Sequence, residues 1–321
     1  MTYQFQFRPY RRQFKRPVKT SHGTWQVRSG IILRCLDEAG QIGFGEIAPL
    51  SWFGSETYEQ ALAWCQQWPK VVTADEIFTI PDRLPACQFG FESAWANCSW
   101  SKNKAAGSMQ PTAYCGLLTT GAAALQNWPS LWQAGYHHLK WKIGIAPMAD
   151  ELCWLNQLVE SLPPSAKLRL DANGGLNLLE AQKWLEVCDQ IGIEFLEQPL
   201  PPEQLDAMLA LEQHYQTPLA LDESVATLNQ LKNCYEKGWR GIFVVKAAIA
   251  GSPTQLRTFT RVHPVQLVFS SVFETSIGRT AALQLAAELN HADLAVGFGI
   301  QHWFADDLEL QDFENLWQRL G

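Results

Sequence analysis

HLKWKIG (residues 138–144) and LRLDANG (residues 168–174) are short runs in which apolar and polar residues alternate, as in a strand with one buried face. Segments with helical periodicity separate such runs from one another after about residue 110. The other runs are CGLL (115–118), GIEFLEQP (192–199), LALDES (219–224), IFVVKAA (242–248), QLVFSSVFE (266–274) and ADLAVGFG (292–299). Eight strands that alternate with helices predict a (β/α)-barrel, an α/β fold.

The alternation also predicts which side chains point into the barrel. In HLKWKIG, Leu139 and Trp141 share one face, and Lys140 and Lys142 share the other. The apolar face is expected to meet the surrounding helices, so the lysines point inward. The same rule gives LRLDANG three inward residues, Arg169, Asp171 and Asn173.

The first hundred residues have a different pattern. Strand signals in GIILRCLDEAGQIGFGE (30–46) are followed by a helical, Trp-rich stretch from Glu56 to Trp100. We therefore expect an N-terminal α+β domain over residues 1–105 and the barrel over residues 106–302. The acidic and aromatic tail, residues 303–321, is expected to pack back on the N-terminal domain.

Composition and charge exclude several classes of protein. Of the 321 residues, 47% are apolar and 18% are charged, which is typical of a folded globular protein. The net charge of −7 argues against nucleic-acid binding, which needs clustered basic residues. Eight widely spaced cysteines, a start without a signal-peptide pattern and the lack of a membrane-spanning run favour a cytoplasmic enzyme.

Five charged residues occur at the ends of successive predicted strands, and they are separated by 29, 26, 25 and 24 residues. That spacing is one βα unit each time. Because the carboxyl ends of barrel strands form one rim, residues one unit apart become neighbours around a common mouth. The five that should converge are Lys142, Asp171, Glu197, Asp222 and Lys246.

Three of these residues are carboxylates, Asp171, Glu197 and Asp222. Pointing into one mouth, they would repel one another unless a cation held them. An all-oxygen set without His or Cys predicts Mg²⁺, with Mn²⁺ as the alternative, rather than zinc. A structural metal is the less favoured interpretation, because barrel mouths house active sites. Lys142 and Lys246 are then interpreted as acid–base groups that act on a proton next to a carboxylate.

The motif Lys140-Trp141-Lys142 resembles the K-x-K of the enolase superfamily, and within it of the muconate-lactonizing subgroup. The resemblance covers nearly the whole chain and implies an N-terminal capping domain over the barrel. It also implies that Asp171, Glu197 and Asp222 are the metal ligands and that Lys142 and Lys246 are the two catalytic lysines.

Within the subgroup, GFGEIAPLSWFGSETY (43–58) and FSSVFETSIGRTAALQLAA (269–287) resemble the o-succinylbenzoate synthase family. That family implies the dehydration of 2-succinyl-6-hydroxy-2,4-cyclohexadiene-1-carboxylate to o-succinylbenzoate, for menaquinone or phylloquinone synthesis. The residues that the resemblance implies for substrate binding or support are Ser21, His22, Trp52, Phe53, Lys140, Asn173, Ser270, Ser271, Gly297, Phe298 and Gly299.

Several alternatives remain open. An N-acylamino-acid racemase or a dipeptide epimerase would use the same catalytic residues, although an epimerase should carry an Asp-rich motif where this chain reads VGFGIQHW (296–303). A catalytically silent barrel subunit would have lost a ligand or a lysine, and a class II aldolase-like barrel would need histidine ligands.

The expected partner is a small-molecule carboxylate substrate, with no nucleic acid and no membrane. The oligomeric state stays open, and a monomer is compatible with the sequence.

Overall fold

The N-terminal part of the chain forms a four-stranded antiparallel sheet. The computed structural model describes residues 1–20, 23–100, 113–289, 294–299, 303–306 and 312–320. The sheet consists of β1 (Thr2–Thr20), β2 (Gly23–Asp37), β3 (Ile42–Ile47) and β4 (Val71–Thr73). Its strand order is β3-β2-β1-β4.

Three helices accompany this sheet, namely α1 (Tyr58–Gln67), α2 (Ala74–Ile77) and α3 (Pro85–Trp100). Helix α3 lies directly on β3, and glycine makes this close approach possible. A Cβ atom on Gly45 would come within 2.0 Å of the Gly90 carbonyl oxygen. The N-terminal residues therefore form an α+β unit, as the sequence predicts.

The second unit alternates strands and helices. Its elements are β5 (Cys115–Leu117), α4 (Ala124–Gln133), β6 (His138–Lys142), α5 (Met148–Ser161), β7 (Lys167–Asp171), α6 (Leu178–Ile191), β8 (Phe195–Glu197), α7 (Leu205–His214), β9 (Leu219–Leu221), α8 (Leu228–Glu236), β10 (Ile242–Val245), α9 (Ala247–Ala250), α10 (Pro253–Val262), β11 (Gln266–Phe269) and α11 (Ser276–Leu289). Near the C-terminus follows α12 (Phe313–Arg319).

Strands β5 to β11 form a parallel sheet in which each strand pairs with the next one along the chain. The predicted eighth strand is less regular than the others. Within the described part of that run, residues 294–299, Val296 bridges to Tyr114 beside β5, and Gly297 bridges to Ser270 after β11. These bridges join the two edges of the sheet, and the predicted barrel fold is confirmed.

Alternation along the strands separates two sets of side chains. Leu139 and Trp141 are fully buried on the helix side of β6. A smaller apolar cluster fills the barrel interior, and it consists of Phe195, Ala220, Ile242, Val244 and Val268. This cluster is the floor above which the strand ends open.

Helix starts follow the capping chemistry of the sequence. Each of several helices begins after a residue whose side-chain oxygen accepts a hydrogen bond from the third backbone N–H of the helix. These residues are Thr57, Thr73, Asn177, Thr227 and Ser252. Across the ranges that the structure describes, no helix combines the length and apolar character needed to cross a membrane.

Described tail residues lie against β1. The Phe304 ring stacks on the Phe14 ring with 4.7 Å between centroids, and Arg12 forms a 2.8 Å ion pair with Asp306. The Arg8 guanidinium lies 4.3 Å above the Trp317 ring. The domain boundary near residue 105 falls outside the described residues and stays a prediction.

Candidate active site

The register of the parallel sheet brings the five predicted charges to one rim. Lys142 is paired with Asp171, and Asp171 is paired with Glu197, across β6, β7 and β8. Asp222 follows β9 directly, and Lys246 follows β10 directly. Strands β6 and β10 are four steps apart in the ring, so the two lysines approach the mouth from opposite sides.

These side chains line a cavity of about 200 Å³ between the barrel mouth and the N-terminal unit. The N-terminal unit supplies Trp52 and Phe53 from a short 3-10 turn, Ser51–Phe53. The sequence-predicted residues that line the cavity are Trp52, Phe53, Lys140, Lys142, Asp171, Asn173, Glu197, Asp222, Lys246, Ser270, Ser271, Gly297 and Gly299.

The prediction that Phe298 lines the substrate cavity is wrong. Its side chain is buried on the other side of the eighth run, near Tyr136 and Arg279, and does not line the cavity. The reason is strand alternation, since Gly297 and Gly299 face inward and the residue between them must face outward. Ser21 and His22, which were also predicted to contact substrate, lie outside the described residues.

The carboxylates are bound by lysines. Lys140 Nζ lies 2.9 Å from Asp171 Oδ2 and 2.9 Å from Glu197 Oε1. Lys246 forms an ion pair with Asp222. Lys142 instead donates to Asn173 Oδ1 at 2.9 Å and forms no ion pair with the three carboxylates among the described residues, although its charge helps to lower the pKa of Asp171.

Two residues with positive φ support this arrangement. Asn173 has φ 45°, a conformation that asparagine tolerates better than most residues, and its amide connects Lys142 to Glu223. Gln198 has φ 40° and is fully buried; its Oε1 accepts the backbone N–H of Asp222 at 2.9 Å. Gln198 thereby orients Asp222 from the strand next to it.

Burial and mutual repulsion determine the pKa values in the rim. Burial and the neighbouring Asp171 raise the pKa of Glu197 to about 7. Burial, partly offset by Lys246, raises the pKa of Asp222 to about 6. Burial alone would lower the pKa of Lys140, but the surrounding carboxylates outweigh it and hold that pKa well above the usual range. Lys140 and Lys246 therefore only partly compensate the negative charge of the three carboxylates.

The donor set fits a hard divalent cation. Asp171, Glu197 and Asp222 are nearly inaccessible to solvent and end neighbouring strands, and their repulsion is what a cation would relieve. Among the described residues, no three His, Cys, Asp or Glu side chains are arranged so that together they could bind one metal ion. In this arrangement Lys140 contacts Asp171 and Glu197, and Lys246 contacts Asp222.

The structure adds cavity residues that the sequence did not single out, among them Glu223, Trp25 and Phe273. Glu223 lines the cavity next to Asp222, and its Oε2 is buried without a hydrogen-bond partner among the described residues. Its position beside a predicted ligand was the available signal. Leu50, Trp25 and Phe273 form the roof, where the Trp25 and Phe273 rings lie 5.5 Å apart. Nothing in the local sequence of Trp25 and Phe273 distinguishes these two residues from packing residues.

Comparisons with known proteins agree with this geometry. A family model described as "MenC, N-terminal domain" matches residues 5–98, and one described as "Enolase C-terminal domain-like" matches residues 123–315. The o-succinylbenzoate synthase of Thermosynechococcus vestitus (strain NIES-2133 / IAM M-273 / BP-1) is 42% identical over 323 residues, which cover 98% of this chain and 99% of that protein.

Solved structures give the same result. The o-succinylbenzoate synthase from Thermosynechococcus elongatus BP-1, solved with Mg in its active site, has a TM-score of 0.89 at 42% identity and covers 98% of this chain and 99% of its own. A dipeptide epimerase from Methylococcus capsulatus has a TM-score of 0.82 at 20% identity over 96% of this chain and 93% of its own, which shows a shared fold alone. The chain therefore belongs to the enolase superfamily and, within it, to the o-succinylbenzoate synthase family.

Proposed function

We propose that this protein catalyses the Mg²⁺-dependent dehydration of 2-succinyl-6-hydroxy-2,4-cyclohexadiene-1-carboxylate to o-succinylbenzoate. The observation that carries the proposal is the convergence of two lysines and three carboxylates in one cavity, in a chain 42% identical to an o-succinylbenzoate synthase over almost its whole length. The product would supply menaquinone or phylloquinone synthesis. The eight cysteines are free thiols, which is compatible with work in the reducing cytoplasm.

Asp171, Glu197 and Asp222 would hold the Mg²⁺ ion, or Mn²⁺ in its place. Their oxygen donors are those that a hard cation prefers. The ion would stabilise the negative charge that develops on the substrate carboxylate when the neighbouring proton is removed. Lys140 touches Asp171 and Glu197, and its role would be to balance their charge and keep both side chains in place.

Lys142 would act as the general base and then as the general acid. Its Nζ donates to Asn173 Oδ1 and forms no ion pair with a carboxylate among the described residues, so this nitrogen can turn toward a substrate without breaking an ion pair in the rim. Once neutral, Lys142 would take the proton from the carbon next to the substrate carboxylate. It would return that proton to the departing hydroxyl group, which leaves as water while the ring becomes aromatic.

Lys246 would stabilise the intermediate from the opposite side. It reaches the cavity from β10, across the barrel from Lys142, and forms an ion pair with Asp222 in this structure. A positive charge there offsets the negative charge of the deprotonated substrate without accepting a proton. Lys142 and Lys246 would therefore lie on opposite faces of the reacting carbon.

The remaining lining supports the bound substrate, a small-molecule carboxylate. Ser270 and Ser271 offer hydroxyl groups at the end of β11, and Gly297 and Gly299 leave room beside them. Trp52 and Phe53 would cover the substrate from the N-terminal unit. A largely apolar roof over a rim of charged residues suits a substrate with an apolar ring and carboxylate groups.

The direct test mixes the purified protein and Mg²⁺ with the cyclohexadiene substrate and follows loss of the diene absorbance, with EDTA as the control. Rapid loss that EDTA prevents is the expected result. A folded, Mg²⁺-binding protein that leaves the diene unchanged would refute the proposal. Racemisation of N-succinylamino acids is then the next reaction to assay, because it begins with the same proton abstraction.

A further inference from the structure

The ammonium group of Lys246 has two partners that belong to different units of the molecule. One is the Asp222 carboxylate, at the end of the neighbouring barrel strand. The other is the ring of Phe53, with Nζ 4.0 Å from the ring centroid. The side chain of Lys246 is only 13% exposed, so this cation–π contact is largely shielded from water. Such contacts are stronger when they are desolvated than at an exposed surface.

The turn that carries Phe53 is held on both sides. Before the turn, the buried Arg28 donates to the carbonyl of Pro49 at 2.9 Å. After the turn, the buried Glu56 accepts the backbone N–H of Cys87 at 2.8 Å, in the first turn of α3. Within it, Phe53 N–H donates to the Leu50 carbonyl at 2.9 Å. The backbone that carries the Phe53 ring is therefore held in place by contacts within the N-terminal unit.

The same turn also touches the loop that follows Asp222. A Cβ atom on Gly54 would lie 3.1 Å from the Ala226 side chain, which shows how closely the two segments approach. Gly54 has φ 116°, a conformation that favours glycine, and this allows the close contact. The turn is thus fitted between the Asp222 loop and Lys246.

A lysine side chain is long and flexible, so its ammonium needs more than one contact to stay at one point. Asp222 alone is a poor anchor, because it is also one of the proposed Mg²⁺ ligands and its charge is shared. The face of the Phe53 ring attracts the ammonium without neutralising it. The contact therefore restrains Lys246 and preserves the charge that the reaction needs.

We propose that Phe53 is a positioning residue for Lys246: its ring holds the ammonium at the cavity wall opposite Lys142, so the N-terminal unit takes part in the chemistry and does not merely cover the substrate. The inference rests on the proposed function, because it assigns Phe53 to the charge-stabilising side of that reaction. It differs from the role that the sequence predicts for Phe53, which is direct contact with substrate.

Kinetics separate these two roles. Phe53→Leu removes the π face and keeps an apolar side chain, so we expect kcat to fall about tenfold, equivalent to about 1.4 kcal/mol, while KM stays within about twofold. Phe53→Tyr keeps the ring and should rescue most of kcat. Phe78→Leu makes the same change at a half-exposed ring away from the cavity and should match the parent enzyme. A rise in KM with unchanged kcat for Phe53→Leu, or no change at all, would overturn the proposal.

A second measurement does not depend on activity. In protein labelled with ε-¹³C lysine and saturated with Mg²⁺, the ε-methylene protons of Lys246 should be shifted upfield by the ring current of Phe53. The signal is assigned by its loss in Lys246→Arg. Phe53→Leu should remove the upfield shift, and Phe53→Tyr should retain it. An unshifted Lys246 signal in the parent protein, or one that Phe53→Leu leaves in place, refutes the contact.

The two measurements also separate failure of this inference from failure of the proposed function. A parent protein that does not convert the diene refutes the proposed function, while the lysine spectrum still decides whether Phe53 holds Lys246. If Phe53→Leu does not fold, the parent and Phe53→Tyr spectra decide the contact.

Discussion

Glu46 lies on β3 of the N-terminal sheet, and its Oε2 accepts the backbone N–H of Gly278 at 3.0 Å in the first turn of the barrel helix α11. The carboxylate is fully buried and also accepts the N–H of Thr275 and the hydroxyl of Tyr10. A carboxylate at a helix N-terminus satisfies otherwise unpaired N–H groups and interacts favourably with the helix dipole. The Glu46 side chain therefore links the N-terminal sheet to a helix of the barrel by hydrogen bonds.

Replacing the Glu46 carboxylate should lower the free energy of unfolding of the protein. Glu46→Gln keeps the size of the side chain, but it turns an amide NH₂ toward N–H donors and removes the charge. We expect a loss of roughly 2–4 kcal/mol in the free energy of unfolding. Urea denaturation measures it, with Glu59→Gln on the exposed start of α1 as the matched control. Equal unfolding midpoints for both variants would contradict the predicted role of Glu46.

Lys142→Ala should abolish turnover and preserve the metal site. The variant removes the proposed base, and general acid–base catalysis by one group is worth about 10²–10⁴-fold in rate. The carboxylates keep their partner Lys140, so Mg²⁺ binding measured by calorimetry should remain. Lys167→Ala, at the exposed opposite end of β7, is the control and should keep full activity. Normal turnover by Lys142→Ala would remove this residue from the mechanism.

Glu197→Gln should weaken the binding of Mg²⁺. The change removes one negative charge from the proposed ligand set and leaves the shape of the side chain intact. Because ligand charge tunes the affinity for hard cations, we expect the dissociation constant to rise by about tenfold or more. Titration calorimetry checks this, with Glu160→Gln on the exposed side of α5 as the control. An unchanged affinity would exclude Glu197 as a ligand.

Glu274 should make stability depend on pH. Its Oε2 accepts the Val272 N–H at 2.7 Å, while its Oε1 is buried without a partner among the described residues. Burial, together with the nearby Glu46, raises the pKa of Glu274 from 4.5 to about 7. Between these values the folded protein binds a proton that the unfolded chain has released. The free energy of unfolding should therefore fall as pH rises, by up to about 1.4 kcal/mol per unit, and the decrease should end above the folded pKa.

Glu274→Gln isolates this contribution, because the amide does not titrate. Urea midpoints of parent and variant are compared from about pH 4.5 to about pH 8, across the window in which the proton is exchanged. The stability of the variant relative to the parent should increase through that window. Parallel pH profiles for the two proteins would show that Glu274 is already ionised in the folded state.

The strands and the central charges of the site were predictable because both follow from local rules. Period-two alternation along β6 and β7 correctly predicts that Lys140, Lys142, Asp171 and Asn173 face inward. The repeat of about 25 residues places Glu197 on the same rim. The eighth run was predicted as a full strand, whereas residues 294–299 pair through two bridges, since Gly297 and Gly299 weaken regular pairing.

The roof of the cavity was not predictable in the same way. Trp25 and Phe273 meet although 248 residues separate them along the chain, and no periodic signal relates them. Phe273 also has φ 62°, a backbone conformation that is rare for a bulky side chain and that the sequence pattern does not predict. Glu223 was overlooked because a second carboxylate beside Asp222 has the pattern of an ordinary surface residue.

By itself the sequence determined the alternation of strands and helices, the inward direction of the lysines, the carboxylate set and the family. All of these depend on residue type and on the repeat of one backbone unit. Only the tertiary structure decided that Glu46 caps α11, that Phe53 covers Lys246, and that Phe298 faces away from the cavity. The first two contacts join segments that are far apart in the sequence, where packing brings together residues that no local rule connects.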